Sequence, residues 1–132
     1  MSDSRQSLGR WGESIAVQYL ESHGYHIRER NARTPYGEID IVALKQEVIS
    51  QNSVYPSSVA VFVEVKTRSS TTFGFPEESI TVHKRAHMLA AADSYIQEHP
   101  ELGNDWRIDV IAILCQGSTK KHSLKHFENV IT

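Results

Sequence analysis

Two stretches of the chain carry apolar residues at the three- and four-residue spacing of a helix. The first predicts a helix over residues 7–23, which Gly24 would end. The second predicts a helix that begins after an N-cap at Thr81 and ends before Pro100. The apolar positions are Leu8, Trp11, Gly12, Ile15, Ala16, Tyr19 and Leu20 in the first helix, and Val82, Ala86, Leu89, Ala90 and Ile96 in the second.

The remaining segments have the alternating or β-branched character of strands. We predict strands over residues 25–32, 38–44, 59–67 and 107–115, with an edge strand over 121–130. The run 59–67 is almost continuously apolar, which is typical of a central strand covered on both faces. The polar, aperiodic residues 45–58 predict a long hairpin loop. In the first strand, regular alternation would place Arg28 and Arg30 on one face. The order of elements indicates an α/β fold with a mixed central sheet flanked by helices.

Length and composition indicate the number of domains and the class of protein. The 132 residues, 39% of them hydrophobic, predict one compact domain over residues 1–132. Residues 1–9 lack the apolar core of a secretory signal, and no stretch approaches the length of a membrane span. The single cysteine, Cys115, lies in an apolar run and is expected to pack as a small hydrophobe. A reducing, cytoplasmic setting is the default expectation. The net charge of −2 argues against a protein that coats nucleic acid non-specifically.

Charged side chains interrupt two of the apolar strands. Asp40 lies near the middle of one, and Glu64 and Lys66 lie two residues apart in the next, so that they share a face. An ionised group in such a run costs several kcal/mol unless it is paired or binds a metal. An acid on one strand, with an acid and a lysine on the next, indicates a metal-dependent site for phosphodiester cleavage.

Each of these residues has a plausible role in such a site. Asp40 and Glu64 are suited to hold Mg²⁺, and the backbone carbonyl of Val65 would complete the ligand set. Lys66 would orient or activate the attacking water, or balance charge on the phosphate. Glu13 follows Gly12, whose lack of a side chain would let the helix approach the sheet closely and bring in a third carboxylate.

Further residues are candidates at the periphery of the site. Glu38 shares the strand parity of Asp40 and would join from the edge. Lys84, in the first turn of the second helix, is a candidate phosphate contact, helped by the helix N-terminus. Arg68 and Arg85 are candidate contacts to the substrate backbone.

These residues also have structural interpretations. Glu64 and Lys66 would form an ion pair at a strand edge, Asp40 would cap a turn or pair with an arginine, and Glu13 would be a solvated helix residue. Asp109, in the fourth strand, is favoured as a structural partner for an arginine or a helix end. A second set of residues, His83 and His87, has the spacing of a helical zinc site, but no third ligand is evident in the sequence.

The joint pattern resembles the PD-(D/E)xK nuclease superfamily and, more closely, the small bacterial YraN-like family, which is similar to archaeal Holliday-junction resolvases. The matching segments are residues 9–13 with Ala16, Tyr19 and Leu20, then Asn31, residues 37–40, 63–68, Lys84-Arg85 and 107–110. The resemblance implies a restriction-endonuclease-like αβββαβ core. It carries the catalytic pattern onto Asp40, Glu64 and Lys66, and the helix acid of the resolvases onto Glu13. Ile39 stands where the name of the superfamily has proline.

The resemblance also implies an activity and its partners. It implies Mg²⁺-dependent cleavage of branched or structured DNA, with Mn²⁺ as a substitute ion, and a homodimer, because resolvases pair two cuts through symmetry. A rival interpretation is a non-catalytic nucleic-acid-binding or assembly module that keeps the fold. A second rival is an ordinary α/β domain with ion-paired strands. The nuclease hypothesis requires Glu13, Asp40, Glu64 and Lys66 to converge, and Asp40 and Glu64 on opposite faces of the sheet would refute it.

Overall fold

A computed structural model describes residues 4–47, 57–72, 74–116 and 121–130. Helices and strands follow the predicted order. They are α1 (Ser4–Ser22), β1 (Tyr25–Thr34), β2 (Gly37–Glu47), β3 (Ser57–Arg68), α2 (Val82–Glu98), β4 (Trp106–Cys115) and β5 (His122–Phe127), with short 3₁₀ helices at Pro76–Ser79 and Pro100–Leu102. The predicted α/β class is confirmed, and the element order is compatible with a restriction-endonuclease-like core.

The five strands form one mixed sheet in the order β1-β2-β3-β4-β5. Neighbouring strands are antiparallel except for β3 and β4, which run parallel and are connected through α2. The sheet therefore has β3 at its centre and β5 at an edge, as predicted. Within the described residues, no helix is both long and apolar enough to cross a membrane.

One helix covers each face of the sheet. Ala16 and Leu20 of α1 pack on Val61 and Val63 of β3, whereas α2 packs on the opposite face. The second core contains Phe62 of β3 together with Ala91, Ala92 and Tyr95 of α2. Because β3 is buried on both faces, its side chains are apolar in both alternating sets, and this is why a charged Glu64 stands out.

The structure confirms the predicted end of α1 at Gly24 and the predicted N-cap of α2 at Thr81. Gly24 follows α1 with a φ of 86°, a left-handed conformation that glycine adopts without steric cost. The Thr81 side chain accepts a hydrogen bond from the backbone N–H of Lys84 at 3.1 Å and so caps α2.

Strand pairing extends into the segment predicted as a loop. Lys45, Gln46 and Glu47 of β2 pair with residues of β3 as far as Ser57, so the prediction of a loop over 45–58 is wrong at both ends. Main-chain hydrogen bonds hold an antiparallel hairpin without apolar side chains, so the polar sequence did not reveal the pairing. Residues 48–56 lie outside the described part of the chain.

The side chains of β2 do not alternate regularly between the two faces of the sheet near Asp40. Ile39 and Ile41 are two residues apart, yet Ile39 packs in the core beneath α2 and Ile41 in the core beneath α1. The β1–β2 ladder omits the position where Asn31 would face Asp40, and Asn31 has a φ of 54°. Asparagine tolerates this left-handed conformation better than most residues. Asp40 thus lies where the side chains of β2 stop alternating regularly between the two faces of the sheet.

Candidate active site

Close packing of α1 on β3 brings Glu13 to the sheet. Gly12 is buried, and a Cβ atom added there would overlap the side chain of Thr67 on β3. Only glycine therefore lets the helix backbone approach this closely. The prediction that Gly12 would permit close approach is confirmed, and Glu13, the next residue, lines the same cleft as Asp40 and Glu64.

The carboxylate of Asp40 lies in the gap where β2 and β3 separate. Regular pairing of the two strands ends at Ile41 and Val63, and a continued register would place Ile39 opposite Val65. Instead, Asp40 Oδ2 accepts a hydrogen bond of 2.8 Å from the Val65 backbone N–H. The Asp40 side chain thus takes the place of a backbone carbonyl and joins the two strands.

The same hydrogen bond indicates where the carbonyl of Val65 points. In an antiparallel ladder, the N–H and C=O of one residue are directed to the same side, because paired residues exchange both bonds. The Val65 carbonyl is therefore directed toward the gap that holds Asp40. Its side chain packs against the core beneath α1, away from the gap, as the alternation predicted.

The carboxylate of Glu64 is held by two lysines. Its Oε1 atom lies 3.4 Å from Lys66 Nζ and 3.2 Å from Lys84 Nζ. The Glu64 side chain is only 9% exposed, so that its charge has little contact with water. The ion pair with Lys66 that was one structural interpretation is present, and Lys84 adds a second cation to the same oxygen.

Glu13 is linked to the periphery of the site. Its Oε1 atom lies 4.0 Å from an Arg30 guanidinium nitrogen. With its NH₂ group turned toward the acids, Asn31 donates hydrogen bonds to Glu13 at 3.1 Å and to Glu38 at 2.8 Å. Glu38 thus approaches the site from its edge, through Asn31.

Burial and mutual repulsion raise the pKa values of two of the acids. The pKa of Asp40 rises from 3.8 to about 7, chiefly through burial and then through the nearby charge of Glu64. The hydrogen bond from Val65 and the charge of Lys66 oppose this rise. Burial also raises the pKa of Glu13, against the opposing influence of Arg30. The acids therefore lie close enough to interact, and the cations present do not fully compensate for burial and repulsion.

An open cleft of about 650 Å³ surrounds these residues. It lies between the beginning of α1, the end of β3 and the segment before α2, and its size is within the range of ligand-binding clefts. The lining residues are Leu8, Gly9, Glu13, Asp40, Glu64, Val65, Lys66, Thr67, Arg68, Ser69, Ser70 and Ser79. Acids, cations and hydroxyl groups thus share one accessible surface.

The donor set suits a hard divalent cation better than a soft one. Asp40, Glu64 and the Val65 carbonyl offer oxygen ligands, which Mg²⁺ and Mn²⁺ prefer. Within the described residues, no three His, Cys, Asp or Glu side chains already form a metal-ligand group. Mg²⁺ keeps several waters and needs only one or two carboxylates, so two acids and a carbonyl fit it in kind and number.

The sequence matches a family described as "Uncharacterised protein family UPF0102" over residues 12–113. A UPF0102 protein of Syntrophomonas wolfei is 42% identical over 116 residues, covering 88% of this chain and 91% of that protein. One from Pelotomaculum thermopropionicum is 38% identical over 129 residues, covering 98% of each chain. The chain belongs to the UPF0102 family. The YraN-like resemblance is thereby confirmed at the level of this family, whose name carries no activity.

Within this UPF0102 chain, the predicted substrate contacts occupy different places. Arg68 lines the cleft. Lys84 does not line it, but contacts Glu64, which does. Arg85 is exposed on α2 and is not among the described residues that line the cleft. In β1, Arg28 bonds to Glu101 at 2.6 Å, whereas Arg30 faces Glu13 on α1. The prediction that Arg28 and Arg30 share a face is therefore wrong, because a bulge shifts the register between Ile27 and Glu29.

Asp109 has the structural role that was favoured for it. It is fully buried and is bonded to Arg107 at 3.1 Å, to His126 Nε2 at 2.8 Å and to the Asn129 N–H at 2.9 Å. Burial alone would raise its pKa, but these hydrogen bonds hold the pKa below 3.8. The two histidines with the spacing of a helical zinc site, His83 and His87, lie on the surface of α2 with their Nε2 atoms 3.1 Å apart.

Two residues beside the site had no role predicted from the sequence: Asn31, which was only part of the family resemblance, and Tyr36. Asn31 links Glu13 and Glu38, and its residue type, one of the few that readily adopt positive φ, was the available signal. Tyr36, half exposed in the β1–β2 turn, lines a small pocket that also contains Glu64 and Lys84. No pattern in the sequence indicates this juxtaposition, because it depends on how α2 packs on the sheet.

Proposed function

We propose that this protein is a metal-dependent endonuclease of the PD-(D/E)xK type that hydrolyses phosphodiester bonds in branched or structured DNA. The observation that carries the proposal is the convergence of Glu13, Asp40, Glu64 and Lys66 on one cleft. The short motifs that resemble the superfamily supply these four residues in the expected order. Their approach in space is an independent argument, because unrelated charged residues have no reason to meet at the end of two strands.

Each residue has a physical role in this proposal. Asp40, Glu64 and the Val65 carbonyl would hold Mg²⁺ or Mn²⁺, which lowers the pKa of bound water and stabilises charge on the phosphate. Lys66 stands 3.4 Å from Glu64 and would orient the attacking water or balance the phosphate charge. Glu13 retains a proton more readily than an exposed glutamate and would accept hydrogen bonds from water in the cleft.

The cleft also offers contacts for the nucleic-acid backbone. Arg68 supplies a charge that is always present, and hydroxyl groups of Thr67, Ser69 and Ser70 line the same wall. Phosphate contacts of this kind fix the position of a duplex without reading its sequence. We therefore propose that the protein selects DNA by its shape and not by its base sequence. Paired cutting of a symmetric junction would require two copies of the chain.

The contact of two lysines with Glu64 favours a second candidate function, nucleic-acid binding without catalysis. In a non-catalytic nucleic-acid-binding module, Lys66 and Lys84 would balance the Glu64 charge permanently, and no metal would be needed. Such a protein would bind DNA with strong salt dependence, and binding would survive Asp40→Ala.

The test is cleavage of labelled branched and linear DNA with Mg²⁺, Mn²⁺ or EDTA. Asp40→Asn, Glu64→Gln and Lys66→Met are compared with the wild-type protein, and Asp93→Asn, an exposed acid of α2, is the matched control. We expect metal-dependent cutting that falls by about 10²-fold or more in the three site variants, and is unchanged in the control. Salt-sensitive binding without cutting would support the non-catalytic module, and cutting retained in Glu64→Gln would refute the proposed site.

A further inference from the structure

A small apolar pocket lies beside Glu64 on the α2 face of the sheet. Its volume is about 50 Å³, and Ile39, Phe62 and Met88 are among the side chains that form it. Tyr36, Glu64 and Lys84 also line it. The pocket therefore adjoins the proposed reaction centre through Glu64, which lines both the pocket and the larger cleft.

Tyr36 is displayed at this pocket by a well-defined turn. Its side chain belongs to the β1–β2 turn, and the residue is 54% exposed. Thr34 Oγ1 donates to the Gly37 carbonyl at 2.7 Å and accepts from the Tyr36 N–H at 3.1 Å. Gly37 has a φ of 124°, which only glycine adopts easily. Because the hydrogen bonds already order this turn, less conformational entropy of the protein would be lost when a ligand binds against Tyr36.

We propose that Tyr36 and this pocket form a subsite for an unpaired nucleobase next to the phosphate that is cleaved. This inference rests on the proposed function and adds a substrate class to it. The aromatic ring offers a stacking face, and Lys84 at the same pocket offers a cation for the neighbouring phosphate. The combination of aromatic face, apolar floor and adjacent cation matches one nucleotide with an unstacked base.

The size of the pocket defines how the base is held. About 50 Å³ is too small to enclose a nucleobase, so the base stacks on Tyr36 and only its edge enters the pocket. A base inside a regular duplex already has neighbours on both faces and offers none to Tyr36. The subsite therefore selects nucleotides at branch points, single-stranded segments or ends.

The experiment measures binding of an oligonucleotide that contains 2-aminopurine, in EDTA, in single-stranded and fully paired forms. Wild-type protein is compared with Tyr36→Ala and Tyr36→Phe. The matched control is Phe75→Ala, which removes another exposed aromatic residue, 47% accessible, that is not part of the pocket lining. Thermal unfolding of each variant establishes that it is folded.

We expect Tyr36→Ala to weaken binding of the single strand by roughly 5- to 100-fold and to leave binding of the duplex nearly unchanged. Tyr36→Phe and Phe75→Ala should bind like wild type, and 2-aminopurine fluorescence should be quenched only where residue 36 is aromatic. Equal affinities of Tyr36→Ala and wild type for the single strand, or equal losses for both DNA forms, would overturn the subsite. Metal-dependent cutting that persists in either case would leave the proposed nuclease intact. Absence of cutting in wild type would refute the nuclease, and a loss of single-strand binding confined to Tyr36→Ala would then support a base-binding subsite without cleavage.

Discussion

The chemistry of single residues explains why the ionised form of Asp40 is unfavourable in the metal-free protein. Asp40 is half-buried beside the buried Glu64, and Lys66 and Lys84 both approach Glu64 rather than Asp40. Coulomb repulsion between two carboxylates is less screened when both are partly removed from water. The fold thus keeps Asp40 in a place where its charge is unfavourable, which is typical of residues retained for function rather than for stability.

Asp40 should make the stability of the metal-free protein depend on pH. Its pKa is about 7 in the folded chain against an ordinary 3.8, so folding takes up a proton between about pH 4 and pH 7. The free energy of unfolding should fall as pH rises through this window, and the cost is complete above about pH 7. We predict that Asp40→Asn is more stable than wild type by roughly 2 kcal/mol at pH 8 and by much less at pH 5.

Urea unfolding in EDTA at the two pH values measures this difference. Asp93→Asn, which removes an exposed acid, serves as the control and should show no comparable gain at pH 8. A gain for Asp40→Asn that is equal at both pH values would contradict the role of the Asp40 charge. The wild-type protein should in turn gain stability from Mg²⁺ at pH 8, and Asp40→Asn should not.

Lys84 should compete with a metal ion for Glu64. Its Nζ atom lies 3.2 Å from Oε1 of Glu64, and a cation bound there would have to displace this contact. We predict that Lys84→Met binds Mn²⁺ roughly 3- to 10-fold more tightly without DNA, and binds DNA more weakly in EDTA. A substrate phosphate that attracts Lys84 would free Glu64, so DNA and metal should promote each other's binding.

Isothermal titration with Mn²⁺ provides the measurement. Arg85→Met removes a neighbouring positive charge of α2, so it controls for the general change in electrostatic potential. If Lys84→Met and Arg85→Met changed the Mn²⁺ affinity equally, direct competition at Glu64 would be excluded.

At the scale of elements, the position of α1 depends on Gly12. Its contact with Thr67 leaves no room for a methyl group, and α1 carries Glu13 into the cleft. We predict that Gly12→Ala destabilises the protein by roughly 1–3 kcal/mol through overpacking and reduces metal-dependent cutting. Thr67→Ala in the same chain should restore part of the stability.

Gly9 provides the matched control for this substitution. It lies in the same helix, but a Cβ atom added there meets no other atom within 4 Å. Gly9→Ala should therefore be neutral or stabilising, because alanine favours helix by up to about 1 kcal/mol. A Gly12→Ala protein as stable as Gly9→Ala would show that α1 does not pack closely on β3.

The elements also show how far the sequence predicts the site. Local signals sufficed for the end of α1, for the beginning and end of α2, and for the central position of β3, whereas α1 begins at Ser4 and not at residue 7. Alternation placed Glu64 and Lys66 together, and it placed the side chain of Val65 away from them. It failed at Arg28, because a bulge shifts the β1–β2 ladder there, and it is also broken between Ile39 and Ile41, opposite the left-handed Asn31. Such interruptions arise from pairing between strands and leave little trace in the order of residues.

At the scale of the whole molecule, the site depends on three layers that meet at one end of β3. The sheet supplies Asp40, Glu64 and Lys66, α1 supplies Glu13, and α2 supplies Lys84 from the other face. The contact of Lys84 with Glu64 was not predictable from the sequence, since it requires the packing angle of α2 on the sheet. In the proposed nuclease, the contact of Lys84 with Glu64 would connect substrate binding with metal binding.

In the proposed nuclease, Asp40, Glu64 and the Val65 carbonyl bind one divalent metal ion. The most direct measurement is anomalous diffraction from crystals of the full chain grown with Mn²⁺, beside crystals of Asp40→Asn. We predict one strong peak within about 2.2 Å of all three oxygen ligands, with Lys84 moved away from Glu64, and no peak in the variant. A wild-type crystal with Mn²⁺ bound elsewhere, or with Glu64 still held by both lysines and no peak beside it, would contradict this metal site.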